Sequence, residues 1–411
     1  MNWPYGWVLV LALCLSFAPK GLSAGKWELQ YQHIDAEYDL RLLDIAFIDA
    51  RHGLASGFLD SRKRERQQPV NLVTSDGKTW SLIETKKICT DIHAVSEGVI
   101  FAACEDGIYR SNELGKDWKR VAKLKNILSV WFTSPLRGFA VGLEKSFFET
   151  SDGGEKWAPV ETNPVISTSK DYTILHHIDF ASPNVGLITG WSRIPRNREF
   201  LPDWMAPDRA LQQRDTPHVN FIIETRDAGA TWSSQEVSMF GEINSVYVAP
   251  DGAGLGLVKF SNGFEVPSEV FFFKWPAGTT MRVFREKNRA VTDVALPQRG
   301  PAYLAAVEPS GQLFWSPVPG RVKILESANF EQWTEMDVDY RASATGVRFA
   351  AFDPENIWAI SDTGVILKLN RDFAALPVRA LPEGPIRPAT PEADTKSSAQ
   401  TKPDVETKPS P

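Results

Sequence analysis

Histidine and cysteine are scarce in this chain, with 6 and 3 residues among 411. The histidines show no metal-ligand spacing, and no phosphate loop, nucleophile elbow or zinc signature accompanies them. The expected metal and cofactor content is therefore none. A strong excess of positive charge is also missing. Lys and Arg number 45 against 51 Asp and Glu, a net charge of −6, which gives no reason to expect a nucleic-acid partner. Long apolar runs are absent after the first 24 residues, so no later stretch crosses a bilayer as a helix. What remains has the composition of a globular protein, 43% hydrophobic and 23% charged.

The N-terminus reads as an export signal over 1–24. Val8 to Ala18 is an apolar run of signal-peptide length, and Leu22-Ser23-Ala24 offers a small residue for cleavage before Gly25. Met1 to Trp7 carries no Lys or Arg, which leaves an uncleaved anchor as the alternative. Cys14 follows Leu13, where a lipoprotein signal needs a small residue. Cleavage leaves Cys89 and Cys104. A hairpin turning at Ser96-Glu97 sets them opposite each other, as a cross-strand disulfide in an oxidising compartment or as two small buried hydrophobes.

The chain repeats itself. Thr150-Ser151-Asp152-Gly153-Gly154-Glu155-Lys156-Trp157 and Thr225-Arg226-Asp227-Ala228-Gly229-Ala230-Thr231-Trp232 both fit Ser/Thr-x-Asp-x-Gly-x-x-Trp, the Asp-box turn. Ser111 to Trp118 fits with Glu113 in the Asp place, and Thr74 to Trp80 is one residue shorter, with Asp76. Trp80 and Trp118 stand 38 residues apart, and Trp118 and Trp157 stand 39 apart. Before each box comes an alternating strand, a polar turn, a small-residue strand such as Gly138-Phe139-Ala140-Val141-Gly142, and a third strand. Such periodicity marks a ring of repeated four-stranded units. Six units follow from Leu43 to Val338, the fifth without a box and the sixth keeping only Trp333. A last unit, Gly346 to Asn370, shows three strands, and Lys26 to Tyr31 supplies its fourth. Closing the ring this way removes an exposed edge. The expected fold is all-β, a seven-bladed β-propeller over 25–381 closed by the N-terminal strand. From Pro382 to Pro411 the Pro, Thr, Lys, Glu and Ser content predicts a disordered tail.

The box is expected to act structurally. The carboxylate accepts backbone N–H bonds of the turn, the glycine permits a backbone angle costly to other residues, and the tryptophan buries its ring against the neighbouring sheet. Asp76, Glu113, Asp152 and Asp227 are assigned that role rather than a catalytic one.

Arg137-Gly138-Phe139-Ala140-Val141-Gly142 followed by the box at Thr150 to Trp157 resembles the repeat of the photosystem II stability/assembly factor family. The resemblance covers most of Trp27 to Asn370. It implies an exported, non-catalytic seven-bladed propeller that binds a membrane-protein assembly intermediate, with an arginine patch on one face in some members. Arg51, Arg137 and Arg299, at turns between first and second strands, are the candidate patch here. The chain departs from the pattern in its decaying boxes after Trp232, its long insertion and its tail.

That insertion, 191–217 in blade four, carries Trp191, Arg193, Arg196, Arg198, Trp204, Arg209 and Arg214. Long irregular loops in compact domains are often functional, and Arg with Trp is interaction-site chemistry. A surface loop whose arginines pair with its own aspartates is the plainer reading. Ser192-Arg193-Ile194-Pro195 is reminiscent of the Arg-Ile-Pro motif of sialidases, which share propeller and boxes. Here it sits in the fourth unit, with no Tyr/Glu nucleophile pair in register. The sequence thus predicts a monomeric, exported, protein-binding scaffold for a membrane or envelope complex, with no small-molecule substrate. A carbohydrate-active or glycan-binding propeller is the alternative.

Overall fold

The computed structural model of the chain describes residues 25–382, except 97, 162–165, 194–216, 261–265, 276–279, 309–311, 314–315 and 372–378. The expected signal, most of the blade-four insertion and the tail beyond Pro382 lie outside the described residues.

Seven antiparallel four-stranded sheets follow one another in chain order. Blade 1 is Tyr38–Phe47, Gly53–Ser61, Gln67–Thr74 and Ser81–Glu84. Blade 2 is Cys89–Ser96, Val99–Cys104, Gly107–Ser111 and Lys119–Ala122, and blade 3 is Ile127–Phe132, Gly138–Gly142, Phe147–Thr150 and Ala158–Pro159. Blade 4 is Thr173–Ser182, Val185–Ser192, His218–Thr225 and Ser233–Met239. Blade 5 is Glu242–Val248, Ala253–Lys259, Ser268–Lys274 and Thr280–Arg285. Blade 6 is Ala290–Ala295, Ala302–Glu308, Gly320–Ser327 and Thr334–Glu335. Blade 7 takes Val347–Asp353, Asn356–Ser361 and Val365–Asn370 from the end of the ring and Lys26–Gln32 from its start, with Lys26 opposite Asn370 and Trp27 opposite Leu369. The closure is the one the sequence predicts. A parallel contact of Lys26 and Trp27 with Asp337 and Val338 extends it toward blade 6.

The small-residue string of each second strand has a packing reason. A Cβ on Gly53, Gly138 or Gly186 would stand 2.5, 2.5 or 2.6 Å from the ring of Phe47, Phe132 or Phe180, the aromatic residue near the end of the preceding strand. A Cβ on Gly57, Gly142 or Gly190 would stand 2.1, 1.8 or 2.2 Å from the carbonyl oxygen of Arg41, Asn126 or Ile174. Glycine at both ends lets the two innermost strands close up.

The box turns are held as expected in three blades. Asp227 Oδ1 accepts from Thr231 N at 2.8 Å and Thr225 Oγ1 at 2.8 Å, while Gly229 N donates to Thr225 Oγ1 at 2.8 Å. Asp76 and Asp152 are bonded in the same manner. Blade 2 requires a correction. Its tying carboxylate is Asp117, which accepts from Ser111 Oγ at 2.8 Å and Glu113 N at 2.9 Å. Glu113 thus contributes its backbone N–H, and the shorter carboxylate reaches back from the far end of the turn. Blade 6 keeps more of a box than Trp333 alone: Asn329 Oδ1 accepts from Glu331 N and Gln332 N, both at 3.0 Å, and Phe330 N donates to Ser327 Oγ at 2.8 Å.

Each box tryptophan is a wedge between its own blade and the one before. Trp232 lies 5.6, 5.1 and 6.3 Å from the rings of Phe139, Phe147 and Phe180. Trp157 stands edge-on to Phe132, and Trp80 to Phe47. Trp118 packs at Leu54 and Trp333 at Phe284. Trp27, from the other end of the chain, takes the wedge of blade 7 against Tyr303 and Phe349. Cys89 pairs with Cys104 across the first hairpin of blade 2, Cα atoms 3.9 Å apart, and the two are joined by a disulfide. After Asn370 the chain returns toward blades 5 and 6. Arg371 pairs with Glu326 at 2.7 Å, and Arg379 bonds Asp251 and the carbonyl of Pro297, both guanidinium groups buried.

Candidate binding face and central funnel

Aligning the seven units on their second strands brings one position of each innermost strand to the same level. Opposite the fourth residue of the small-residue string stand Asp44, Asp91, Ser129, His177, Ser245, Asp293 and Arg348 in blades 1 to 7. In blades 1 to 6 a β-bulge falls immediately before this position. The bulge re-aims the side chain, and the ring of seven lines the propeller axis.

Three of its carboxylates stitch one blade to the next. Asp44 accepts from Ile92 N, Asp91 from Val130 N and Asp293 from Phe349 N, each at 2.8 Å. Burial pushes the Asp44, Asp91 and Asp293 carboxyls up, and Arg348 pulls them back down. Burial alone would lower Arg348, yet Asp44, Asp293 and Asp91 around it hold it above its usual range. Its guanidinium lies 3.5 Å from Asp44, with 47% of the side chain still accessible from the axis.

Above the ring a cavity of about 430 Å³ opens toward the starts of the innermost strands, and all seven blades line it. Its charged and polar wall includes Lys259, Asp362, Tyr247, His176 and His177. Burial, with Arg348 second, lowers Lys259 to about 8. Burial lowers His176 and His177 to about 4 and about 3, so both imidazoles are neutral at pH 7. His176 Nδ1 bonds the carbonyl of Asn244 at 2.9 Å. His177 Nε2 and Ser245 Oγ have no hydrogen-bond partner among the described residues. Such a wall suits a polar ligand with both donors and acceptors.

The other end of the axis is different. A cavity of about 690 Å³ on the side of the first-to-second-strand turns is lined by Phe47, Trp131, Phe132, Phe180 and Phe352, with His93 against Trp131. Phe352 is 45% exposed there.

Strand direction assigns the sequence candidates to these two faces. The blade-four insertion joins a second strand to a third, on the face where the polar funnel opens. Arg193 is exposed at its root, bonded through its backbone to Tyr172. Trp191 is not part of the loop: it is 8% exposed in the second strand, its ring 5.0 Å from His176 at the funnel wall. Strand pairing with Ile174 extends the sheet further than a strand ending at Gly190 would. Arg196, Arg198, Trp204, Arg209 and Arg214 lie outside the described residues. Arg51, Arg137 and Arg299 occupy first-to-second-strand turns of blades 1, 3 and 6, on the aromatic face. Arg51 and Arg299 are exposed, while Arg137 pairs with Glu149 at 2.9 Å and stacks over Phe139. The axial ring itself was not singled out from the sequence. Its signal is positional, one residue per unit, and it appears only when the units are aligned on the glycine string.

No protein-family model matches the chain. It is 25% identical over 260 residues to the photosystem II assembly lipoprotein Ycf48 of Nostoc sp., covering 59% of this chain and 70% of that protein. It is 23% identical over 254 residues to the photosystem II assembly protein Ycf48 of Thermosynechococcus vestitus, covering 59% and 68%. Among solved structures, YCF48 bound to D1 peptide superposes with a TM-score of 0.56 at 17% identity, over 87% of this chain and 99% of that one. In repeat grammar, closure and fold, the chain is a photosystem II assembly factor-like seven-bladed β-propeller.

Proposed function

We propose that this protein is a non-catalytic, exported scaffold that binds a protein of a membrane or envelope complex and assists its assembly or stability. The carrying observation is that the long blade-four insertion departs from the face on which the funnel of Arg348, Lys259 and the neutral His176 and His177 opens. An insertion of this length rooted at Arg193, on the face of a polar axial cavity, supports a seat for an extended polypeptide segment. A propeller of the same fold has been solved with a D1 peptide bound, and we assign a peptide segment as the ligand class here. The Cys89–Cys104 disulfide supports an oxidising, extracytoplasmic compartment.

The carbohydrate-active reading gains one observation, since carboxylates do converge on the axis. Asp44, Asp91 and Asp293 each accept a backbone N–H of the next blade, and Arg348 stands among them. That commitment favours a structural ring over an acid and nucleophile pair.

The test is affinity capture of tagged protein from gently solubilised envelopes, wild type against a deletion of 193–216. A membrane protein that co-purifies with wild type and is lost on deletion is the expected result. Capture that is unchanged by deletion removes the insertion from the site. Hydrolysis of a glycan panel by wild type but not by Asp91→Asn overturns the non-catalytic reading.

A further inference from the structure

The wedge positions around the ring are occupied by Trp80, Trp118, Trp157, Trp232, Trp333 and Trp27 at six junctions. At the seventh, between blades 4 and 5, no box tryptophan stands among the described residues; Phe271, Phe273 and Trp275 of blade 5 pack there instead and leave part of the junction open. The register shows what is missing. Phe139 and Phe147, which hold Trp232 between blades 3 and 4, correspond by strand pairing to Leu187 and Ile222. Leu187 and Ile222 instead line a cavity of about 320 Å³, together with Val246, Gly256 and Phe271. That volume lies within the small-ligand range of roughly 300–1,000 Å³. The slot reaches the surface: Val237 on its wall is 46% exposed. Its rim carries Arg226, which lies over the ring of Trp275 at 5.3 Å and pairs with Glu224 at 3.2 Å, and Lys274.

We propose that this slot is a binding site for an aromatic side chain, of the indole class, presented by a partner polypeptide. The partner's ring takes the place that a box tryptophan takes at the other junctions. The slot shares with the filled junctions an apolar space between two sheets with aliphatic and aromatic walls, and it adds a polar edge at the mouth. Two rim cations against one carboxylate favour an acidic residue beside the aromatic one. The site stands apart from the axial funnel and does not depend on the scaffold reading.

Gly256 provides the control. A Cβ built there meets only Val246, at 3.7 Å, and otherwise points into open space. Gly256→Leu therefore fills the slot without a clash at the Cβ. The probes are indole and N-acetyl-tryptophanamide, titrated against the full chain by calorimetry and by thermal shift. Saturable binding to wild type, weakened at least ~10-fold in a folded Gly256→Leu protein, is expected. Equal binding to both proteins places the probe elsewhere and overturns the proposal. So does no saturable binding to wild type, the outcome if another part of this chain or a second copy already fills the slot. Sedimentation of wild type and Gly256→Leu identifies the second-copy case by a change in association. Should Gly256→Leu fail to fold, Leu187→Trp blocks the slot from the opposite wall and carries the same expectations.

Discussion

The junction between blades 3 and 4 and the junction between blades 4 and 5 use the same strands in the same register, yet only the first is closed by a box tryptophan. Between blades 3 and 4, Trp232 sits among Phe139, Phe147 and Phe180. Between blades 4 and 5, Leu187 and Ile222 line an open slot. The backbone of a propeller thus tolerates a junction without its box tryptophan, here packed in part by Phe271, Phe273 and Trp275. The strands pair within each blade, and the innermost strands are stitched across blades by side-chain to backbone bonds, so the ring closes without every wedge. What a wedge adds is packing stability, and what its omission adds is a concave apolar surface.

Replacement of Trp232 by Ala tests this most severely. It opens a second slot in a junction built around a ring, and a loss of about 3–5 kcal/mol is expected in urea denaturation. Leu187→Ala, beside a cavity that already exists, removes fewer buried contacts, and about 2–3 kcal/mol is expected. Equal losses would show that the two junctions are packed alike and would break the comparison.

The same comparison explains what the sequence made legible. The Asp-box is a local turn whose residues act within eight positions, so its place in a blade and the identity of its wedge could be read along the chain. Trp27 could be read too, because the last unit lacked a strand and Lys26 to Tyr31 began with the right residue. The sequence points to Glu113 because a carboxylate at either end of the turn can tie it, and only geometry shows that Asp117 does so. Asn329 is hidden in the sequence because an amide oxygen replaces the expected carboxylate and Phe330 takes the positive φ of +63° where a glycine is expected. The axial ring was invisible for a different reason: its members differ in chemistry from blade to blade, and a bulge interrupts the alternation that would reveal them. Trp191 looked like loop chemistry because the strand runs past the glycine that ends it in blade 3.

A second contrast lies between aspartates of the inner strands and aspartates of the boxes. Burial raises Asp179 to about 7, with backbone bonds from Phe180 and Val248 only partly opposing it. Its folded pKa is above the unfolded one. Its contribution to stability is therefore complete below about pH 4 and is lost as pH rises through about 7. Asp179→Asn keeps an acceptor and never ionises. A gain on the order of 1–2 kcal/mol at pH 8, vanishing by pH 3, is expected from denaturation at the two pH values. A gain of the same size at both would assign the effect to packing instead of charge.

The boxes shift the other way. Hydrogen bonds from the Thr231 side chain and backbone, then from Thr225, lower Asp227 to about 2, and similar bonds lower Asp76 and Asp152. A carboxyl whose folded pKa is depressed supports the fold above its unfolded pKa, and that support fades as pH falls through the folded value. For Asp227 the window runs from about 4 down to about 2. Asn329 fills the corresponding place in blade 6 with an amide that does not titrate there. Thermal melts between pH 2 and pH 6 should therefore show a shallower acid loss in Asp227→Asn than in wild type, and a steeper one in Asn329→Asp. The effect is the smallest of the four, because the Asp227 carboxylate is solvated and salt screens its interactions. Identical acid slopes in all three proteins would mean that the turn is held by Thr225 and its backbone bonds alone, with the carboxylate a spectator.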